Sequence, residues 1–127
     1  MTSLPGGIAA ITLFVDDLAR SKEFYGRVFS LPVHFEDPES VVYKFGEALL
    51  NLLAAGAADE LVAPARVGGR DDGVRFQFTL TVDDVDATCA ELGGRGVSLL
   101  NGPVDRPWGI RTASFQDPDG YVWEIAH

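Results

Sequence analysis

The sequence predicts an α+β fold built from two tandem βαβββ modules, and three observations lead to this prediction. The segment Ile11–Leu18 returns as Phe78–Val85, 67 residues later (from 11 to 78). Both copies alternate apolar and other residues, as strands do, and then run through paired aspartates into a helical pattern. Near the end of the chain, a tight turn joins two further alternating runs. Because a ligand space commonly forms between modules, the repeat also indicates where to look for chemistry.

Composition limits the size and the partners of the protein. A chain of 127 residues with 46% hydrophobic content can bury one sizeable core. We therefore expect a single domain, 1–127, made of two repeats at about 8–54 and 74–127. The net charge of −9 works against binding to phosphate backbones or to anionic membrane surfaces. Neither nucleic acid nor a membrane is an expected partner.

Cysteine content and the first residues bear on the cellular compartment. Cys89 is the only cysteine, so an intramolecular disulfide or a site built from several thiolates is excluded. A buried, inert thiol is the expected role of Cys89. The segment Met1–Gly7 has neither a charged start nor a long apolar run, and no later segment reaches membrane-spanning length. We therefore expect a cytoplasmic protein.

The first repeat begins with a strand at Ile8–Val15, after which Asp16 or Asp17 can cap a helix. The helix is expected to run to about Phe29, because its apolar residues recur on one broad stripe. After the break at Leu31-Pro32, three short strands are predicted, at 33–36, 41–45 and 48–54.

The second repeat follows a connector, Ala55–Gly73, whose glycines, proline and adjacent aspartates allow at most one helical turn around 59–62. The connector joins the modules and is also a candidate cover for the ligand space. In Asp117–Gly120, an acceptor, a proline and a final glycine suit a type I turn, which predicts a hairpin. The second repeat is expected to contain a strand at 74–82, a helix at about 84–92, and strands at 97–100, 110–116 and 121–126.

Several motifs together resemble the glyoxalase, bleomycin-resistance and extradiol-dioxygenase superfamily, also called vicinal oxygen chelate. They are the Phe24-Tyr25 pair in the first helix, the paired Val-Asp-Asp segments, and the run from Phe115 through Asp117–Gly120 to Glu124. The resemblance covers nearly the whole chain. It implies a curled mixed sheet with helices outside, frequent homodimers, and in many members a divalent metal inside the curl. Since the superfamily includes isomerases, lyases, dioxygenases and drug-sequestering proteins, the fold alone does not fix the chemistry.

The resemblance also implies which four positions carry metal ligands in metal-binding members: Ala10, Asn51, Gln77 and Glu124. Tight divalent sites in proteins normally use three or four imidazole or carboxylate ligands. Here one position has no donor, two offer neutral amides and one offers a carboxylate. No tightly bound metal and no other cofactor is therefore expected, while weak divalent binding through the three remaining side chains stays open.

Without a metal, the same sheet face offers contacts to an organic ligand. Alternation in the strand after the connector places Gln77 and Thr79 opposite an apolar row. Glu124 shares its face with the small apolar residues Val122 and Ala126. It is the candidate catalytic residue as a general acid or base, but anchoring a ligand or pairing with an arginine fits the pattern equally.

The segment Arg106–Arg111 resembles a Pro-Trp-Gly-x-Arg signature of the drug-binding branch and its neighbours. Held in a turn, Trp108 offers a flat surface for stacking, or else plugs one end of the sheet. Arg111 either contacts a ligand or forms a structural link to Glu124 or Asp117. Phe14, Tyr43 and Leu53 are candidate apolar wall residues of the ligand space, or else core residues.

Three functional hypotheses follow from these residues. The first is a metal-free protein, expected to be a homodimer, that binds a small aromatic or cationic metabolite or antibiotic in the cavity of the curled sheet. The alternative is a metal-dependent lyase, isomerase or dioxygenase that uses the degenerate site. The third is a catalytically silent interaction module. The sequence leaves open whether any reaction is catalysed.

Overall fold

The computed structural model describes residues 6–127 and has two open four-stranded mixed sheets with helices packed against them. This is the fold class that the sequence predicts. The segment Met1–Gly7, on which the expectation of a cytoplasmic protein partly rests, lies mostly outside the described residues. Within residues 6–127, no helix is long and apolar enough to cross a membrane.

Each module pairs its strands in the same order. The first sheet runs β1-β4-β3-β2 and the second β5-β8-β7-β6, and in each the first strand lies parallel to the last. The first module contains β1 Ala10–Val15, α1 Leu18–Phe29, β2 Val33–Asp37, β3 Ser40–Phe45 and β4 Ala48–Ala54. After α2 Ala55–Val62, the second contains β5 Gln77–Thr81, α3 Val85–Gly94, β6 Leu99–Asp105, β7 Arg111–Gln116 and β8 Val122–Ala126.

The structure departs from the sequence prediction at the connector. The predicted single turn at 59–62 is instead the eight-residue helix α2, followed by a short 3-10 turn at Arg70–Asp72. Alanine has the highest helix propensity, and the three alanines of α2 offset its one glycine. Ala58 is fully buried, so tertiary packing also favours this helix.

The strands on either side of α3 also differ from the prediction. β5 begins at Gln77 rather than Val74, and the side chains of Val74 and Phe76 are exposed instead of lying in the apolar row. β6 extends to Asp105, with register shifts between Leu99 and Val104, because a proline inside the strand interrupts regular pairing.

Helix α1 joins the cores of the two modules. It begins at the predicted cap, where the Asp17 carboxylate accepts a hydrogen bond from the Arg20 backbone at 3.1 Å. The ring centroid of Phe29, at the end of this helix, lies 4.8 Å from that of Trp123 in β8. Phe24 lies 6.5 Å from Phe115 of β7. The helix of the first module therefore packs against the sheet of the second.

Three buried side chains, which we call the Tyr25 network, add hydrogen bonds to this packing. The Tyr25 hydroxyl donates to Asp117 Oδ2 at 2.7 Å, and Trp123 Nε1 donates to the Tyr25 oxygen at 3.1 Å. Burial, reinforced by the Asp117 charge, raises the pKa of Tyr25 well above its usual range, so its hydroxyl stays a donor. Asp117 Oδ1 accepts the backbone N–H groups of Asp119 and Tyr121, both at 2.9 Å.

The turn between β7 and β8 makes further contacts with the first module. Asp119 accepts from the Asp16 backbone at 3.0 Å and from the Ser21 hydroxyl at 3.2 Å. The Tyr121 hydroxyl accepts from the Phe14 N–H at 3.2 Å and donates to the Phe14 carbonyl at 3.1 Å. The predicted hairpin turn thus closes its own strands and also fixes β1 and the start of α1.

We expect Tyr25→Phe to destabilise the protein by about 1–3 kcal/mol, because it leaves Trp123 Nε1 and Asp117 Oδ2 buried without their partner. The measurement is the free energy of unfolding in urea. The matched control is Tyr43→Phe, which removes a longer hydrogen bond, 3.3 Å to the Lys22 carbonyl, from an equally buried ring. Equal losses for the two variants would contradict the importance of the Tyr25 network.

The same network predicts a pH dependence. Burial raises the pKa of the Asp117 carboxyl above its unfolded value of 3.8, so the folded chain binds the proton more tightly than the unfolded chain. The contribution of Asp117 to stability therefore decreases as pH rises from 3.8 through the folded pKa. We expect the stability of Asp117→Asn relative to the wild type to increase between pH 4 and pH 7, measured by urea unfolding. A difference that does not vary with pH would contradict this expectation.

Candidate functional site

Strand register gives each sheet an open face, which we define as the side chains that alternate with core residues. Asn51 of β4 lies between Thr12 of β1 and Val42 of β3 in the first sheet. Glu124 of β8 lies between Thr79 of β5 and Ser114 of β7 in the second. Asn51 and Glu124 therefore occupy equivalent places in the two modules, as the sequence suggested.

A threonine contacts each of these two residues. Thr79 Oγ1 donates to Glu124 Oε1 at 3.0 Å, and Asn51 Nδ2 donates to Thr12 Oγ1 at 3.4 Å. Glu124 and Asn51 are half-buried, whereas both threonines are exposed. Sequence reasoning named Thr79 but missed Thr12, although the 67-residue offset relates the two.

Asn51 also carries an unsatisfied polar atom. Its Oδ1 is buried and has no hydrogen-bond partner among the described residues. Such an acceptor costs free energy, so a donor group on a ligand at this point would recover some of that cost.

The four positions implied for metal ligands do not form a good donor set. Ala10 and Gln77 are exposed on the open face, each two residues before the threonine that contacts Asn51 or Glu124. Ala10 has no donor atom, and Asn51 and Gln77 offer only neutral amide oxygens. Nowhere in residues 6–127 do three or more His, Cys, Asp or Glu side chains cluster as metal ligands. The residues present do not fit a tightly held divalent ion.

Arg106 contacts the open face of the second sheet, a role that sequence reasoning did not assign to it. Its Nε donates to Thr112 Oγ1 at 2.9 Å, and its Nη2 donates to Asn101 Oδ1 at 3.1 Å. Ser114 of β7 lies beside Glu124, and Thr112 lies two residues earlier on the same side of the strand. The alternation of side chains along β7 could therefore have predicted that Thr112 faces this side. Arg106 itself belongs to a loop, where no periodicity predicts the direction of a side chain.

Trp108 lies at the tip of the loop between β6 and β7. The loop is closed by hydrogen bonds from Arg106 N to Ile110 O at 2.7 Å and from Gly109 N to Arg106 O at 3.0 Å. Gly109 has φ of +98°, which a glycine adopts without strain. The Trp108 side chain is 69% exposed, so in this chain it does not plug the end of the sheet.

Arg111 forms a structural link, but with different partners from those the sequence suggested. Its guanidinium donates twice to Asp86 of α3, both at 2.9 Å, and once to Asp105 at 3.1 Å. These hydrogen bonds hold the pKa of the Asp86 carboxyl below its usual range. The prediction that Arg111 pairs with Glu124 or Asp117 is wrong, because β7 places it at the end of the strand beside α3.

Two further expectations need correction. Tyr43 is not a wall of the ligand space, because it lies in the core with its hydroxyl on the Lys22 carbonyl. Cys89 is half-buried rather than fully buried, although it lies on α3 between the buried residues Val85 and Leu92. Burial still raises the pKa of its thiol.

A cavity of about 310 Å³ lies between the connector and the two modules. Phe14 is the one predicted ligand-binding residue in its wall, beside Tyr121 and Phe76, which directly precedes β5. Gln116, from the open face of the second sheet, also lines it. The end of the connector and the residues before β5, 68–76, thus cover a space that both sheets reach.

Comparison with known proteins agrees with this architecture. The pattern of the Glyoxalase/Bleomycin resistance protein/Dioxygenase superfamily matches residues 7–125. The uncharacterized protein YraH of Bacillus subtilis is 33% identical over 119 residues, which are 91% of this chain and 93% of YraH. A crystal structure of a glyoxalase-related enzyme from Fulvimarina pelagi is 28% identical with a TM-score of 0.81, covering 96% of this chain and 88% of that one. Lactoylglutathione lyase from Agrobacterium tumefaciens is 25% identical with a TM-score of 0.75, covering 97% and 94%.

Proposed function

Since the chain belongs to the glyoxalase/bleomycin resistance protein/dioxygenase superfamily, we propose that it binds a small molecule on its open face without a resident metal. The observation that carries this proposal is the donor set. Ala10 replaces a ligand with a methyl group, and Asn51 and Gln77 are neutral amides that bind divalent ions weakly. The same groups are good hydrogen-bonding partners for an organic ligand.

The proposed ligand is a small aromatic or cationic metabolite or antibiotic. Glu124 would anchor a cationic or donor group, with Thr79 orienting its carboxylate through the 3.0 Å hydrogen bond. The exposed ring of Trp108 and the partly buried ring of Phe14 offer surfaces for stacking. Arg111 would act indirectly, because its guanidinium is bound to Asp86 and Asp105.

We propose that the protein acts as a homodimer. Thr12, Gln77 and Thr79 are exposed on the open faces. Phe35, which the register places beside Val42 on the same face, is 56% exposed. A second copy would remove this apolar ring from water and enclose a ligand more fully.

A metal-dependent lyase, isomerase or dioxygenase using Asn51, Gln77 and Glu124 is the second candidate. The unsatisfied Oδ1 of Asn51 favours it, since an amide oxygen can ligate a cation. The likeness to a protein described as a lactoylglutathione lyase agrees with that class of reaction.

We expect Glu124→Gln to weaken binding of aromatic amines at least tenfold, because it removes the anchoring charge, and to change binding of neutral aromatic analogues little. Calorimetric titration of a panel of planar amines, their neutral analogues and aromatic antibiotics provides the measurement. Trp108→Ala should weaken the binding of both classes by removing the stacking surface.

Glu47→Gln is the matched control, because it neutralises an exposed carboxylate in the β3–β4 turn. The proposal fails if no panel member binds the wild type, or if Glu124→Gln binds amines as tightly as the control does. Light scattering on the same samples should give twice the 13.7 kDa chain mass. A monomer at every concentration would contradict the homodimer.

A further inference from the structure

The two repeats cover their sheets with very different helices. In α1, the positions that pack inward include Phe24, Tyr25 and Val28. The residues 67 positions later, on or just after α3, are Glu91, Leu92 and Arg95. Between Val85 and Leu92, the two buried residues of α3, the helix carries only small or polar side chains. α3 therefore fills less of the space above its sheet than α1 does.

The unfilled space is a cleft of about 260 Å³ between the end of α1 and α3, above the second sheet. Val28, Phe115 and Ile125, at its base, are each no more than 2% exposed, so the cleft reaches the core. It lies on the opposite side of β5 from the open face, because Leu80 lines it whereas Thr79 contacts Glu124. The remaining apolar residues of its lining are Phe29, Val82 and Leu92.

The polar side chains that line this cleft already have hydrogen-bond or ion-pair partners within the protein. Arg95 Nη2 pairs with Glu91 at 2.5 Å, and Arg95 Nη1 donates to the Val28 carbonyl at 2.6 Å and to Ser30 Oγ at 3.2 Å. The Arg95 side chain thereby connects α3 to the end of α1. Thr88 Oγ1 is also satisfied, on the Asp84 carbonyl at 2.8 Å. A charged ligand would find no uncompensated partner among these groups.

We infer that this cleft is a second binding site, which takes a small, neutral aromatic or aliphatic molecule independently of the open face. An apolar cavity of about 150 Å³ in an engineered protein is enough to bind benzene. The cleft here is larger, although it is open to solvent on one side, and it is lined mostly by hydrocarbon side chains, which suits a fused two-ring molecule such as indole. Binding buries apolar surface of both partners and requires no new ion pair.

The test is titration of the full-length protein with indole, followed by NMR of the methyl groups. Five valine, leucine and isoleucine residues line the cleft: Val28, Leu80, Val82, Leu92 and Ile125. We expect their signals to shift with a dissociation constant on the order of a millimolar or below. Benzoate, a charged aromatic probe, should shift them at least tenfold more weakly.

Two variants fill the cleft from different sides, so the test does not depend on either one folding. Leu80→Phe adds bulk from β5 and Thr88→Leu adds bulk from α3, and each should weaken indole binding at least tenfold. Thr81→Val, on the opposite face of β5, is the matched control and should bind like the wild type. The inference is overturned if indole shifts none of these methyl signals, if benzoate binds equally well, or if both filled variants bind indole like the control.

Discussion

The buried hydrogen bond between Tyr25 and Asp117 links the two modules. It places a helix of the first module against a hairpin of the second, and the rings of Phe29 and Trp123 pack around it. A buried carboxylate is costly unless it is hydrogen-bonded, and Asp117 accepts bonds from one hydroxyl and two backbone N–H groups. The relative position of the two sheets follows from this contact, and with it the position of both open faces.

The two repeats share their strand register and differ in the side chains at equivalent places on their open faces. Asn51 and Glu124 are equivalent in register, and each is hydrogen-bonded to a threonine from the neighbouring strand. One is a neutral amide and the other a carboxylate, so the two open faces offer different contacts. The helices diverged as well, since Phe24 and Tyr25 of α1 correspond to Glu91 and Leu92 of α3. The first difference underlies the proposed ligand site, and the second produces the apolar cleft.

The repeat and the alternation of side chains were enough to predict the fold class, most strands and the face on which Glu124 lies, because these depend on local periodicity. The glycines of the connector predict a single turn, whereas the alanines of α2 and the burial of Ala58 favour a full helix. The partners of Arg111 and the role of Arg106 depend on how loops and helices meet in space, which no spacing along the chain encodes. Trp108 could be placed in a turn from its neighbours, but its exposure depends on tertiary structure.

We propose that the open face binds its ligand without a resident metal, and elemental analysis of untagged protein is the first test of this proposal. Calorimetric titration with nickel, zinc, manganese and, without oxygen, ferrous iron completes the measurement. We expect substoichiometric metal in the purified protein and no micromolar binding of any of these ions, because Ala10, Asn51 and Gln77 supply no strong ligand. Near-stoichiometric metal with micromolar or tighter binding that disappears in Glu124→Gln would contradict the claim and favour the metal-dependent enzyme.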